Sequence, residues 1–223
     1  MMQWGLRDGL SWCDCDGRAV FLDLREDRYF CLPYKANGAF LRVARNERRL
    51  GDSDALDPLV KRGLLVEGDA QTSIQSPPAI DMPQSDFAAG RGARAGVLNI
   101  LQTLSSELRI AWLLRRSPLH EVIESVRRIR PGIASVSNDQ HRSASALVNA
   151  AAATAVILRS HDRCLVRGLA FHSSCRTRGL NTKLVLGVIA HPFTAHCWVQ
   201  LGNVVLVGGY EQARLYTPIL VLE

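Results

Sequence analysis

Apolar residues fall at every second position near the start of the chain: Leu10 and Trp12, then Val20, Leu22 and Leu24 beyond a turn at Asp16-Gly17. Alternation of that kind buries one side of an extended backbone, so the segment reads as a hairpin of half-buried strands. Arg25-Glu26-Asp27 makes a second polar turn, and Arg28-Tyr29-Phe30-Cys31-Leu32 reads as a third strand stopped by Pro33. The period then changes. Ala36, Ala39, Phe40 and Val43 share one helical face, Ala55, Leu56, Leu59 and Val60 share another that ends at Gly63, and Leu64-Leu65-Val66 reads as a short closing strand. Residues 1–69 are therefore expected to form a small three-stranded sheet packed on helices, near the size at which a lone core becomes marginal.

Gly68 to Ser85 turns polar and proline-bearing, with Ser76-Pro77-Pro78 and Pro83 offering little to bury, so residues 70–90 read as a linker. Three helical patterns follow, roughly Gly96 to Arg115, Pro118 to Arg130 and an Ala-rich run from Asp139 to Ser160, and then a helix from Cys164 that stops near Gly179. Alternation returns at Lys183 to Val188, Ala195 to Leu201 and Val204 to Val207, with Gly202-Asn203 as a tight hairpin turn. The expectation is an α+β chain: a small domain over 1–69, the linker, and a larger domain over 91–223.

Composition narrows the classes. A chain of 223 residues with 47% hydrophobic and 22% charged content has the profile of a globular protein. No apolar run approaches a membrane span and Met1 to Leu10 lacks a signal core, so a cytoplasmic protein with no membrane partner is expected. In a reduced compartment the six cysteines are expected to be reactive, metal-binding or simply buried thiols instead of a disulfide framework. The formal charge of +6 is scattered, with Arg42, Arg45, Arg48 and Arg49 the densest group, which fits solvated helix faces and no nucleic-acid partner.

Candidate chemistry sits at Cys164 and His196. Cys164 opens a helical stretch, where unpaired N–H groups and the positive end of the helix dipole favour negative charge and can hold an oxyanion. His196 lies in the alternating run Ala195-His196-Cys197-Trp198-Val199, and a strand beside a helix start can bring an imidazole within about 3 Å of the sulfur. A thiol at a helix start followed by an imidazole on a strand is the arrangement of papain-like and transglutaminase-like folds. Cys175 lies on the far turn of the helix and Cys197 on the opposite strand face from His196, so both read as structural, as do His172 and His191. Cys13 and Cys15 share a strand face but have no second pair at zinc spacing, so neither a metal nor a cofactor is expected. For the group that orients the imidazole, Glu211 is the leading candidate, ahead of Gln200 or a backbone carbonyl.

Two stretches carry a family resemblance. Arg163-Cys164-Leu165-Val166-Arg167, Leu184-Val185-Leu186-Gly187-Val188, Pro192-Phe193, Ala195-His196-Cys197-Trp198-Val199 and Tyr216-Thr217-Pro218-Ile219 resemble the transglutaminase-like cysteine peptidase of lasso peptide biosynthesis B proteins. Asp16-Gly17, Val20-Phe21-Leu22-Asp23 and Tyr29-Phe30-Cys31-Leu32 resemble the PqqD-like recognition element fused to it in some members. The resemblance implies a small winged-helix-like PqqD-type domain that captures the leader of a ribosomal precursor peptide. It further implies a peptidase domain that removes the leader and hands the core to an asparagine-synthetase-like cyclase, with Cys164 as nucleophile and His196 as base. The family's aspartate falls at Gly208.

The recognition half also follows from physics, since a sheet edge can accept a peptide as an added strand. The docking edge is expected at Arg28, Tyr29, Phe30, Cys31 and Leu32, with the helix carrying Leu56, Leu59 and Val60 supplying an apolar groove. Leader cleavage by a Cys-His site is the first reading of function. The alternative is a non-catalytic precursor-binding chaperone for the cyclase, motivated by Gly208. A winged-helix regulator, which would bind DNA in a salt-dependent way, lacks a strongly basic recognition helix.

Overall fold

A computed structural model describes residues 3–47, 49–68, 74, 80–88, 95–132, 137–157 and 163–223. Most of the expected linker, and Arg48, lie outside the described residues. The chain divides into two compact units, and the division is interleaved. One unit comprises Met1–Ala79 with Val188–Thr194 and Thr217–Leu220; the other comprises Ile80–Gly187, Ala195–Tyr216 and Val221–Glu223.

The first unit holds β1 (Gln3–Leu6), β2 (Leu10–Cys15), β3 (Arg18–Asp23), β4 (Arg28–Cys31), α1 (Tyr34–Ala44), α2 (Asp52–Lys61) and β5 (Leu65–Gly68). The hairpin forms where expected but not with the expected face: Trp12 pairs with Phe21 and Phe21 with Phe30 across the antiparallel sheet β2-β3-β4. Phe21 therefore shares the side of Trp12 while Val20 and Leu22 lie on the other, and β3 is buried on both sides instead of one. Asp16 (φ 52) and Gly17 (φ 83) make the turn, with the Gly17 N–H donating to the Asp14 carboxylate at 2.8 Å. The aromatic face of this sheet is the core. Phe21 stacks on Phe30 at 5.0 Å and meets Phe40 of α1 edge-on at 4.8 Å, while Trp12 meets Phe40 at 4.9 Å. Leu56, Leu59 and Leu32 are buried in the same core. Leu56 and Leu59 therefore do not line an open groove, which corrects the expectation for that helix. The closing strand β5 pairs with β1, Leu6 opposite Leu65, and not with the hairpin.

Two carboxylates are buried here, and each is neutralised by an arginine, as burial of charge requires. Asp23 takes Arg7 at 2.5 Å and the N–H groups of Arg25 and Glu26. Asp52, at the start of α2, takes two nitrogens of Arg42 and the Arg49 N–H; the Arg42 hydrogen bond is the main cause holding its carboxyl below the usual range.

The second unit carries β6 (Ser85–Asp86), α3 (Val97–Arg116), α4 (Leu119–Arg127), α5 (Ser137–Ile157), α6 (Cys164–Thr177) and α7 (Tyr210–Ala213). It also holds β9 (Val204–Val207) and the greater part of β7 (Lys183–Ala190) and β8 (Phe193–Leu201), whereas most of β10 (Thr217–Leu222) groups with the first unit. The strands order as β10-β7-β8-β9-β6, with β8 antiparallel to β9 and β6 parallel to it. α3, α5 and α6 pack on one another, and α5 and α6 reach β9. Two buried polar side chains among the helices find partners, Thr154 of α5 donating to Glu107 of α3 at 2.8 Å and Ser173 to the Leu169 carbonyl at 2.7 Å, while Glu107 Oε2 and His172 Nε2 have none among the described residues. Among the described residues no helix is long and apolar enough to cross a membrane.

Candidate active site

Cys164 is the first residue of α6, preceded by Arg163 at the N-cap with no capping side chain. The first intrahelical bond runs from the Arg167 N–H to the Arg163 carbonyl at 2.9 Å, so the earlier N–H groups of the turn point out of the helix as donors. One turn on, Gly168 lies against β8: a Cβ there would stand 2.6 Å from the Cys197 sulfur and 3.3 Å from Leu184. The absent side chain is what lets α6 pack on the Cys197 face of β8, the pleat opposite His196. Cys197 responds to that proximity. Burial first, and then the charge of nearby Cys164, push its thiol well above the ordinary range. Gly168→Ala is expected to cost about 1–2 kcal/mol, overpacking outweighing the roughly 1 kcal/mol gained from helix propensity. Adding Cys197→Ala should recover at least about 1 kcal/mol of it, measured as a coupling energy in a thermal-unfolding double-mutant cycle.

His196, on the opposite pleat from Cys197, shares its face with Trp198. Its ring lies 6.2 Å from the Trp198 ring, nearly parallel, and 5.2 Å from Tyr216. Its Nε2 is 2.8 Å from the Gly208 backbone oxygen. A carbonyl only accepts, so Nε2 carries the proton and donates it, and the lone pair is left on Nδ1. Burial lowers the His196 pKa and the bond to Gly208 opposes that effect. The ring is therefore a neutral base at neutral pH.

The orienting group is thus main chain. Gly208 has φ +113, and a Cβ on it would fall 2.5 Å from the Trp198 Cβ and 2.8 Å from its Cα. Glycine is required at this position both for the backbone angle and for the close approach. The segment beyond is pinned by Asp86 of β6, whose carboxylate accepts the Tyr210 N–H at 2.7 Å at the start of α7. Glu211 does not serve: its side chain is 78% exposed and faces Arg214 at 3.7 Å. Gln200 is buried and committed elsewhere, accepting from the Trp198 indole at 2.7 Å and donating to the Asp81 and Gly202 carbonyls. A main-chain carbonyl leaves no mark in sequence, and a residue with no side chain gave no reason to look there.

The remaining candidates fall as follows. Cys175 is buried and burial pushes its thiol up to about 12. His172 is fully buried, with Nδ1 3.0 Å from Thr182 Oγ1, and burial followed by the Arg176 charge lowers its pKa to about 4. Its unfolded value is near 6.5, so between pH 6.5 and 4 the unfolded chain binds a proton that the fold refuses. Stability is whole above pH 6.5 and is lost on acidification across that window, by about 3 kcal/mol for this group. Urea titrations at stepped pH, with an NMR titration of His172 showing a midpoint near 4, check this. His191 pairs with Arg18 at 2.6 Å within the first unit. Cys13 and Cys15 lie 3.5 Å apart and buried, and among the described residues no three His, Cys, Asp or Glu side chains converge as a metal site.

The five expected leader-binding residues sit together at one side of the first unit. Arg28 to Cys31 form β4, the terminal strand of its sheet; Arg28 lies over the Phe30 ring, Tyr29 faces Phe193 at 5.2 Å, and Leu32 turns into the core.

Residues 104–221, a little over half of the chain, match the family model described as Transglutaminase-like superfamily. The match begins within α3 and runs through α6, β8, β9 and most of β10, so it contains Cys164, His196 and Gly208. No curated protein and no solved structure matches the chain.

Proposed function

The chain belongs to the transglutaminase-like superfamily, which includes cysteine peptidases and transglutaminases, and from that premise we propose that it is a cysteine peptidase that removes the leader from a ribosomal precursor peptide in lasso peptide maturation. One observation supports the reading above others: a neutral imidazole, fixed by its Nε2–H on the Gly208 carbonyl, is carried by β8, the strand whose Cys197 packs against Gly168 one turn into the Cys164 helix.

In the proposed reaction His196 Nδ1 takes the Cys164 proton as the sulfur attacks the carbonyl at the leader–core junction. Backbone N–H groups of the first α6 turn face the developing oxyanion. His196 then protonates the amine of the core peptide as it departs, leaving the leader as a thioester on Cys164. Water, deprotonated by the same Nδ1, attacks the thioester and releases the leader carboxylate. The Gly208 carbonyl holds the tautomer but brings no negative charge to stabilise imidazolium. A more intrinsically nucleophilic sulfur tolerates that loss better than a serine hydroxyl. The terminal strand β4, with Arg28, Tyr29, Phe30, Cys31 and Leu32, is proposed to take the leader as an added strand in a PqqD-like manner. Tethering would raise the local substrate concentration to about the millimolar range, so a shallow pocket at Cys164 suffices. The released core passes to an asparagine-synthetase-like cyclase.

The test pairs geometry with product. Treatment with a short bifunctional alkylator such as 1,3-dibromoacetone is expected to bridge Cys164 to His196, found as a cross-linked peptide by mass spectrometry. Incubation with the precursor should yield a free leader carboxylate and a free core amine. A failure to bridge, together with precursor bound but uncut, would establish the chaperone reading instead.

A further inference from the structure

α3 buries Thr103, Glu107 and Ile110 on its inner side, yet its outer side is also apolar. Leu98 is 74% exposed, Leu101 56%, Leu108 52% and Trp112 53%. With Ser105 they fall at alternating spacings of three and four residues, the pattern of a seam made for one other helix. Four large apolar side chains in line on one helix, each more than half exposed, exceed the single scattered exposures normal for a monomer.

Charge decides what suits the seam. Residues 80–223 carry sixteen Lys and Arg against nine Asp and Glu, whereas residues 1–79 carry eleven against twelve, so the excess positive charge of the chain lies in its second part. The only acid on α3, Glu107, points inward to Thr154. Along one edge of the seam stand Gln102, Arg109 and Arg116, one position beyond Leu101, Leu108 and Arg115. Arg178 joins that edge, its guanidinium held by Asn99 at 2.8 Å and Gln102 at 3.2 Å, and Arg116 lies over the Trp112 ring at 5.0 Å. Flanking positions of this kind choose the partner of a helix pair by charge.

We propose that the outer face of α3 docks an amphipathic helix of a partner protein, with apolar residues at the same three-four spacing and Glu or Asp along the edge that meets Arg109, Arg116 and Arg178. A second copy of this chain fits poorly. Parallel pairing sets Arg115 against its own counterpart, and antiparallel pairing offers these arginines no acid. The seam is one residue wide and interrupted by Ser105, which suits a helix better than the broad apolar face of a membrane-surface helix.

The probe is a labelled peptide of three heptads with Leu at the seam and Glu flanking it, beside a control with Lys in place of Glu. Fluorescence anisotropy with the full-length protein should show the glutamate peptide binding. Its affinity should fall at least about tenfold between roughly 0.05 and 0.5 M salt, and at least about tenfold with Trp112→Ala or Leu108→Gln. Both side chains are half exposed, so the variants should keep the wild-type melting temperature, and Cys164→Ala should bind as wild type does. Equal binding of the lysine peptide, or no binding of the glutamate peptide, overturns the proposal. So does a dimer in light scattering that Leu108→Gln dissociates, or uptake onto phosphatidylserine vesicles in preference to the peptide.

Discussion

Cys164→Ala is expected to slow leader removal by on the order of 10⁴-fold or more while precursor affinity stays within about twofold of wild type. The size follows from the chemistry, since without the sulfur no thioester forms and His196 is left to activate water against an unstrained amide. The selectivity follows from placement. Cys175 and Cys197 are buried, with thiols pushed up by burial, so neither can substitute as nucleophile. Cys164 is only half-buried at the first position of α6, and its truncation should leave the melting temperature nearly unchanged. Single-turnover assays with mass-spectrometric detection, alongside calorimetric binding of the precursor, separate the two quantities. Cleavage within tenfold of wild type in this variant would remove the hydrolase from consideration.

Gly208→Asp, which places a carboxylate where the resemblance to lasso B-type peptidases implies one, is expected to damage the protein and not to repair it. The new Cβ would stand 2.5 Å from the Trp198 Cβ, inside a backbone turn with φ +113. Overpacking and strain of these kinds each cost about 1–3 kcal/mol, together roughly 3–5 kcal/mol or about 10 °C in melting temperature. Trp198 is fully buried and stacked near His196, so relief of the clash moves the imidazole and its Gly208 partner together. Turnover should drop by at least about 10³-fold. Gly209→Ala is the control, since Gly209 has φ +76 and ψ 123 but open space around its Cβ position; strain without overpacking should cost it about 1–3 kcal/mol. A Gly208→Asp protein with wild-type stability and higher activity would show that the carbonyl is a poor stand-in for a side chain.

These two positions mark where the chain is legible and where it is not. The hairpin β2-β3, the strand β4 and the helices α1 to α6 follow from local periods, because a side chain's facing depends only on its position in a repeat of two or of 3.6. The turns announced themselves through Asp16-Gly17 and Gly202, each at positive φ. The residue pattern that resembles transglutaminase-like peptidases was equally local, and the superfamily match over residues 104–221 covers it. β10 was not legible as a strand, since Pro218 speaks against one until the strand is known to lie at the sheet edge. β6, two residues long, has no periodicity to detect.

The sequence by itself determined which segments extend, which coil, and that a thiol opens one helix while an imidazole sits on a later strand. Tertiary structure decided the rest: that β5 closes on β1, that ends of β7 and β8 and most of β10 group with the first unit, and that His196 is held by main chain while Glu211 turns to Arg214. The reason is common to all three. Each depends on which distant backbone groups come within hydrogen-bond or packing distance, and a peptide carbonyl is the same at every position until folding gives one of them a neighbour.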